Sequence, residues 1–190
     1  MRVIAGTHKG RRLHGPKGPG LRPTADRVKE ALFSILASRV TGARFLDLFA
    51  GTGAIGIEAL SRGARSATFV ESHAAALRIL RANLTSCGLT ERADIYAGTA
   101  TVFLRRRATT GTPYDIVFAD PPYQIHATKD VWSRLVQTGM VTPHSIIVIE
   151  HAAKLTALAD EGLLHLIRQY RYGDTMLSLF EPTRQESGTA

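Results

Sequence analysis

The tetrapeptide Asp120-Pro121-Pro122-Tyr123 contains the residue types most specific for chemistry. It follows the apolar run 116–119, which predicts a buried strand, so it stands where open α/β sheets bind ligands. Two consecutive prolines fix the backbone and remove two N–H donors. Asp120 and the Pro121 carbonyl can accept both hydrogens of an amino group on an aromatic base, and Tyr123 offers a flat face to an extruded base. The segment predicts chemistry at a nucleobase amino group rather than a rigid polar turn.

A glycine-rich turn precedes this segment in the chain. Residues 46–56 read Leu-Asp-Leu-Phe-Ala-Gly-Thr-Gly-Ala-Ile-Gly, and Glu71 follows Gly51 by 20 residues, at the end of the next predicted strand. This spacing satisfies the dinucleotide fingerprint, in which a strand turns sharply into a helix and an acid binds ribose hydroxyls. A nicotinamide or flavin protein is therefore one interpretation of the turn.

Asp47 favours a different ligand for the same turn. It stands on the predicted strand, four residues before Gly51. A carboxylate at this position repels a pyrophosphate but attracts a cation. S-adenosylmethionine carries both an ammonium and a sulfonium, so Asp47 favours this cofactor over a dinucleotide.

Strands and helices alternate from residue 43 onwards and position both motifs. The predicted strands are 44–49, 67–71, 93–97, 114–119 and 145–150, and the predicted helices are 55–62, 74–86, 101–107 and 129–138. Several of these strands are apolar on both faces, as strands buried between helix layers are. The pattern predicts a mainly parallel, Rossmann-like α/β sheet.

The end of the chain departs from this alternation. Residues 163–172 and 175–181 flank Gly173-Asp174, a two-residue hairpin signal, so an antiparallel pair is predicted to close the sheet. A chain of 190 residues, 44% of them hydrophobic, is enough for one well-packed domain. We expect a single domain with a basic extension over 1–40, a catalytic core over 41–182 and a disordered tail over 183–190.

Positive charge is concentrated at the beginning of the chain. Residues 1–40 hold nine Lys or Arg against two acids, whereas the other 150 residues hold 15 bases and 14 acids. This segment also predicts a short strand at 2–5 and a second extended piece at 12–14, which would form a small hairpin or irregular arm. A helix is predicted from Thr24, which favours an RNA-binding extension over a solubilising tail. The residues predicted to contact RNA are Arg11, Arg12, Arg22, Arg27 and Lys29.

Cysteine and histidine usage limits the other classes of protein. A single cysteine, Cys87, excludes an internal disulfide and fits a reducing cytosol. The seven histidines show no metal-ligand spacing, and no apolar run resembles a signal peptide or a membrane span. We therefore expect a cytoplasmic protein without a metal.

Together these motifs closely resemble the RsmD-type family, the bacterial small-subunit ribosomal RNA guanine-N2 methyltransferases. The resemblance covers nearly all of the chain and rests on 2–6, 10–13, 21–33, 47–53 and 120–123. Many amino-methyltransferases share the last two segments. The Arg-Pro-Thr and Asp-Arg-Val of residues 22–28 narrow the resemblance to this family.

The resemblance implies a seven-stranded methyltransferase fold with an antiparallel last strand. It implies methyl transfer from S-adenosylmethionine to guanine N2 of 16S rRNA, free or in an assembling small subunit, by a monomer. Asp120, Pro121, Pro122 and Tyr123 would hold the guanine. Where related enzymes often carry Asp or Asn beside the adenine, this chain has Thr99. The cofactor site would be lined by Asp47, Phe49, Gly51, Thr52, Gly53, Glu71, Thr99 and Ala100.

Three other functions remain open at this point. A DNA or other RNA methyltransferase acting on adenine N6 or cytosine N4 would use the same Asp-Pro-Pro-Tyr chemistry. The DNA enzymes usually carry a sizeable target-recognition region, for which 190 residues leave little room. A non-catalytic RNA-binding assembly factor would leave Asp120 to Tyr123 without a purpose, and a nicotinamide oxidoreductase would not explain Asp47.

Overall fold

The computed structural model describes residues 1–15, 23–106, 112–121, 129–155 and 163–183. Its α-helices are α1 (Pro23–Leu36), α2 (Ala54–Ser61), α3 (Ala74–Cys87), α4 (Ala100–Arg106) and α5 (Lys129–Gln137). Its strands are β1 (Arg44–Asp47), β2 (Ser66–Glu71), β3 (Ala93–Ala97), β4 (Tyr114–Ala119), β5 (Val141–Ala152), β6 (Leu164–Tyr172) and β7 (Thr175–Pro182). Short 3₁₀ helices cover Ala37–Val40 and Thr90–Arg92.

The seven strands form one sheet in the order β3-β2-β1-β4-β5-β7-β6. Strands β1 to β5 pair in parallel, and β7 lies antiparallel between β5 and β6. The predicted mainly parallel sheet with an antiparallel last strand is confirmed. The chain runs outward from β1 to β3 and then returns to β4 beside β1, so β1 and β4 form the switch point where such sheets bind ligands.

Two strands, β1 and β5, have boundaries that differ from the sequence prediction. Strand β1 ends at Asp47 rather than at residue 49, because the backbone turns there towards the glycines. Strand β5 extends beyond 145–150 in both directions, since Val141 pairs with Tyr114 of β4 and its last residue pairs with β7. The other predicted ends lie within one residue of the observed ones. Arg107 lies outside the described residues. Of the tail 183–190, predicted to be disordered, the structure describes Thr183 alone.

Helices cover both faces of the sheet. The side chains alternate along each strand, so Phe45 and Phe69 pack towards α1, α2 and α3, while Leu46 and Val70 pack towards α4 and α5. This burial explains the apolar character of both faces of the central strands. None of the described helices is long and apolar enough to cross a membrane.

The basic residues 1–15 pack against the helices. The predicted extended pieces at 2–5 and 12–14 form only a single antiparallel bridge, between Arg2 and Arg12. The short strand predicted at 2–5 does not form, whereas the predicted small hairpin or irregular arm is present. The intervening residues turn tightly and make most of their hydrogen bonds to α2 and to each other.

The segment is held in place by buried polar side chains of the core. Asn83 of α3 is fully buried, accepts the His14 N–H at 2.7 Å and donates to the His14 carbonyl at 3.1 Å. The same amide donates to the Thr52 carbonyl in the glycine turn at 2.9 Å. Gly6 has a φ of +82° and lies against α2, where a Cβ would collide with the Ser61 carbonyl. The N-terminal segment and the glycine turn therefore share one anchor.

Glu58 of α2 forms a second anchor and explains the place of Lys29. Its carboxylate accepts the N–H groups of Ile4 and Ala5 at 2.8 and 2.9 Å. Lys29 of α1 lies 3.4 Å from the same carboxylate, donates to the Arg2 carbonyl at 2.7 Å and is only 3% exposed. The prediction that Lys29 contacts RNA was therefore wrong, because its charge is neutralised inside the protein.

Replacing Glu58 by alanine is expected to lower the free energy of unfolding by about 3–5 kcal/mol, because it leaves the buried Lys29 charge unpaired. It also removes the acceptor of Arg62, whose guanidinium donates at 2.8 Å. Urea unfolding measures the loss. Glu30→Ala, an exposed acid of α1, is the matched control and should change the stability by less than about 0.5 kcal/mol. Equal stability of the two variants would contradict the anchoring role of Glu58.

Candidate active site

An acid stands at the carboxyl end of four adjacent strands. Asp47 ends β1, Glu71 ends β2, Asp120 follows β4 and Glu150 lies near the end of β5. Each comes two residues after a side chain that packs towards α1–α3, so all four carboxylates point to that face of the sheet. These side chains are Phe45, Phe69, Phe118 and Val148. The result is a row of negative charge at the switch point, which attracts a cation.

A cavity of about 1090 Å³ opens at this edge of the sheet. Three of the four acids line it, and Asp47 lies buried beneath it. The cavity brings together six of the residues predicted for cofactor or base, namely Phe49, Glu71, Thr99, Ala100, Asp120 and Pro121. Among the described residues, no three His, Cys, Asp or Glu side chains group as metal ligands.

Asp47 is 1% exposed, and one of its carboxylate oxygens has no partner among the described residues. The other oxygen accepts the Gly56 N–H at 3.2 Å. The pKa of Asp47 is raised from 3.8 to about 7, mainly by burial and to a lesser extent by the charges of Asp120 and Glu71, against the lowering effect of the Gly56 hydrogen bond. A buried carboxylate with a free oxygen fits a cationic group, as S-adenosylmethionine would supply.

Glu71 holds the glycine turn in place. One carboxylate oxygen accepts the Gly51 N–H at 2.8 Å, and the other accepts the N–H groups of Ser72 and His73 at 2.7 Å each. The oxygen that accepts the Gly51 N–H has one further lone pair, and the side chain lines the cavity. Glu71 therefore both shapes the turn and offers an acceptor to a ligand hydroxyl.

The three glycines of the turn have different tasks. Gly51, at a φ of +53°, has open space where a Cβ would stand, so a ligand can approach its backbone. A Cβ at Gly53 would collide with Leu80, and one at Gly56 would collide with the Phe69 ring. These two glycines allow α2 and α3 to pack closely on the sheet. Gly51, Thr52 and Gly53 form the turn beside the cavity and are not among the residues that line it.

Asp120 and Pro121 occupy the side of the cavity next to β4. Asp120 is accessible within the cavity, and partial desolvation there raises its pKa above the usual value. The raised pKa makes this carboxylate a better proton acceptor. Pro122 and Tyr123, predicted to hold the base, lie outside the described residues.

Glu150 belongs to the site but was missed from the sequence. It lines the cavity, and its pKa is raised to about 7 by burial and by the charge of Asp120. The only sequence signal was an acid directly after the apolar run 146–149. This signal becomes specific once the sheet order places β5 beside β4.

Comparison with known proteins identifies the family. A family model described as Conserved hypothetical protein 95 matches residues 1–181. The Ribosomal RNA small subunit methyltransferase D of Escherichia coli K12 is 40% identical over 150 residues, which span 79% of this chain and 74% of that protein. The chain belongs to the RsmD-type methyltransferase family.

Other relatives agree with this assignment. The Haemophilus influenzae Ribosomal RNA small subunit methyltransferase D is 36% identical over 151 residues, covering 79% of this chain and 78% of that protein. The solved structure of yhhF from Escherichia coli has a TM-score of 0.84 at 33% identity and covers 97% of this chain and 99% of that chain. Family membership confirms the predicted methyltransferase and S-adenosylmethionine as its methyl donor, so the nicotinamide interpretation was wrong.

Proposed function

We propose that this RsmD-type enzyme methylates the exocyclic N2 amino group of a guanine in small-subunit ribosomal RNA, in the cytoplasm. The observation that carries the proposal is the position of Asp120 and Pro121. They line one cavity with Glu71, directly beside the β1 glycine turn, so a base amino group and a methyl donor can meet there.

The cofactor residues divide the work of binding. Asp47 supplies a buried carboxylate for a cationic group, and Glu71 supplies an acceptor for a ribose hydroxyl. Phe49, Thr99 and Ala100 line the same cavity, and the Thr99 hydroxyl can hydrogen-bond the adenine. When bound, S-adenosylmethionine supplies an electrophilic methyl group and leaves as S-adenosylhomocysteine.

The base side of the cavity orients the nucleophile. The lone pair of an amino group on an aromatic ring is delocalised, so the amine is a poor nucleophile. Asp120 and the Pro121 carbonyl accept its two hydrogens and direct the lone pair at the methyl group, which makes positioning the main catalytic device. The amine becomes acidic only as the N–C bond forms, and Asp120 then takes the proton. In this proposal Pro122 and Tyr123 complete the base site by rigidity and stacking.

The N-terminal segment supports RNA as the substrate. Arg11, Arg12 and Arg27 are exposed, whereas Arg22 lies outside the described residues. The names of the relatives from Escherichia coli and Haemophilus influenzae specify the small-subunit ribosomal RNA. We infer a monomer with one domain, whose residues 1–40 contact RNA and whose residues 41–182 form the catalytic core, acting on 16S rRNA alone or in an assembling subunit.

Methyl transfer to defined nucleic acids tests the substrate class. With labelled S-adenosylmethionine, the enzyme is expected to methylate unmodified 16S rRNA, free or within small-subunit particles, and not 23S rRNA or duplex DNA. A DNA methyltransferase would label the duplex instead, and an assembly factor without catalysis would label nothing.

Neutralising three exposed arginines within residues 1–40, Arg11, Arg12 and Arg27, is expected to weaken RNA binding and reduce its salt dependence. The slope of log affinity against log salt should become shallower by about 0.7–0.9 for each phosphate that the variant no longer binds. S-adenosylmethionine affinity should stay unchanged, because these residues do not line the cavity. The test variant replaces Arg11, Arg12 and Arg27 by alanine, and the control removes the same charge from Arg65, Arg105 and Arg168, which are also exposed but lie outside residues 1–40. Identical salt slopes in the two triple variants would show that the segment does not bind RNA.

A further inference from the structure

Glu150 and Asp120 stand side by side at the edge of the cavity. In the parallel pairing of β4 and β5, Phe118 aligns with Val148 and Ala119 with Ile149, so the next positions in register are Asp120 and Glu150. Phe118 and Val148 share one core layer, and the alternation of side chains directs both acids to that same face. Neighbouring strands lie about 4.8 Å apart, which places the two carboxylates within reach of one ligand.

The place of Glu150 in the sheet associates it with the base rather than the cofactor. The glycine turn, Glu71 and Thr99 follow β1, β2 and β3, on one side of Asp120. Glu150 lies near the end of β5, the strand on the other side. No hydrogen bond or ion pair occupies its carboxylate within the described part of the chain, although burial and the Asp120 charge raise its pKa to about 7. A partly buried carboxylate without a partner destabilises the free protein, and a ligand N–H that donates to it removes this cost.

The three nucleobases with exocyclic amino groups differ in the ring nitrogen next to that group. Guanine carries an N1–H donor next to its N2 amine, whereas adenine has the N1 lone pair and cytosine the N3 lone pair at the same place. An ionised carboxylate is an acceptor only. Two adjacent carboxylates therefore match the two neighbouring donors of guanine and repel the ring nitrogen of the other two bases.

We propose that Glu150 accepts the N1–H of the target guanine while Asp120 accepts a hydrogen of its N2 amine, so that Glu150 selects guanine among amino-bearing bases. This inference rests on the proposed function and adds its specificity-determining residue. A site built to pair a particular N–H rejects an analogue that lacks it, because the carboxylate is then left unpaired.

An RNA with 2-aminopurine at the modified position tests this role directly. This base keeps the amino group but has a lone pair at N1. At pH 8 the wild-type enzyme is expected to prefer guanine, and Glu150→Gln should lower the guanine to 2-aminopurine ratio of kcat/KM about 10–100-fold, the range for one hydrogen bond to a charged group. A glutamine side chain can accept a hydrogen bond from N1–H of guanine or donate one to N1 of 2-aminopurine. The Glu150→Gln enzyme should therefore methylate both bases. Glu91→Gln, an exposed acid outside the cavity, is the control and should keep the wild-type ratio.

The outcomes separate this inference from the proposed function. Guanine methylation by the wild type with an unchanged base ratio in Glu150→Gln would overturn the role of Glu150 and leave the proposed function standing. A loss of S-adenosylmethionine affinity in Glu150→Gln would also overturn it, since Glu150 would then serve the cofactor. Absence of guanine methylation by the wild type would overturn the proposed function itself. Thermal melting shows that each variant is folded, and Glu150→Asp, which keeps an acceptor, should retain part of the guanine preference.

Discussion

Replacing Asp120 by asparagine is expected to reduce methyl transfer about 10²–10⁴-fold, the usual contribution of a positioned acid or base. Asparagine keeps the size of the side chain and can still accept a hydrogen bond through its amide oxygen, but it accepts a proton poorly, so the amine cannot lose its proton to this side chain. S-adenosylmethionine affinity should change little, because the proposed site assigns Asp120 to the base rather than to the cofactor.

Single-turnover kinetics with saturating cofactor measure the rate, and calorimetric titration measures the cofactor affinity. Asp94→Asn, at an exposed position of β3, is the control and should keep the wild-type rate. A fully active Asp120→Asn variant would contradict the assignment of the base site. A large loss of cofactor affinity in this variant would place Asp120 in the cofactor site instead.

Replacing Asp47 by asparagine is expected to weaken S-adenosylmethionine binding about 10–100-fold, because a buried charged group that pairs with the cofactor is removed. The same substitution should stabilise the protein without ligand. Burial raises the pKa of Asp47 from 3.8 to about 7, so the folded protein binds a proton that the unfolded chain releases in this range. Stability from this group is therefore present at low pH and is lost as the pH rises from about 4 to 7, by up to about 4 kcal/mol.

Asparagine is neutral at every pH and avoids this loss, so Asp47→Asn should melt at a higher temperature than the wild type at pH 8 and at a similar temperature at pH 4. In the wild type, cofactor affinity should decrease as the pH falls below 7, because the carboxylate must be ionised to attract the cation. Thermal melting at pH 4 and pH 8 measures the effect on stability, and calorimetric titration at pH 6 and pH 8 measures the effect on cofactor affinity. Equal cofactor affinity of the two proteins at pH 8 would mean that the free oxygen of Asp47 does not face the cofactor.

The sequence was most informative where a residue's role depends on its own strand. Asp47 and Asp120 each follow an apolar run, and the carboxyl end of a parallel strand is a ligand position whatever its neighbours are. Local patterns were therefore sufficient for the sheet class, the glycine turn and the position of Asp120 and Pro121 at the end of β4.

Roles that depend on contacts between distant segments could not be predicted from local sequence patterns. Lys29 is typical of a surface cation by composition, and only its proximity to the buried Glu58 of another helix makes it structural. Asn83 is an ordinary helix residue until the N-terminal segment and the glycine turn both meet its amide. Glu150 acquires its role from the register of β5 against β4, which no spacing along the chain encodes.

Mass spectrometry of the modified nucleoside tests the central claim most directly. Unmodified 16S rRNA, as a free transcript and assembled into small-subunit particles, is incubated with the enzyme and S-adenosylmethionine and then digested to nucleosides. The account predicts N2-methylguanosine as the new nucleoside in at least one of the two substrates, and its absence with the Asp120→Asn variant. The appearance of N6-methyladenosine or N4-methylcytidine, or of no methylated nucleoside in either substrate, would contradict it.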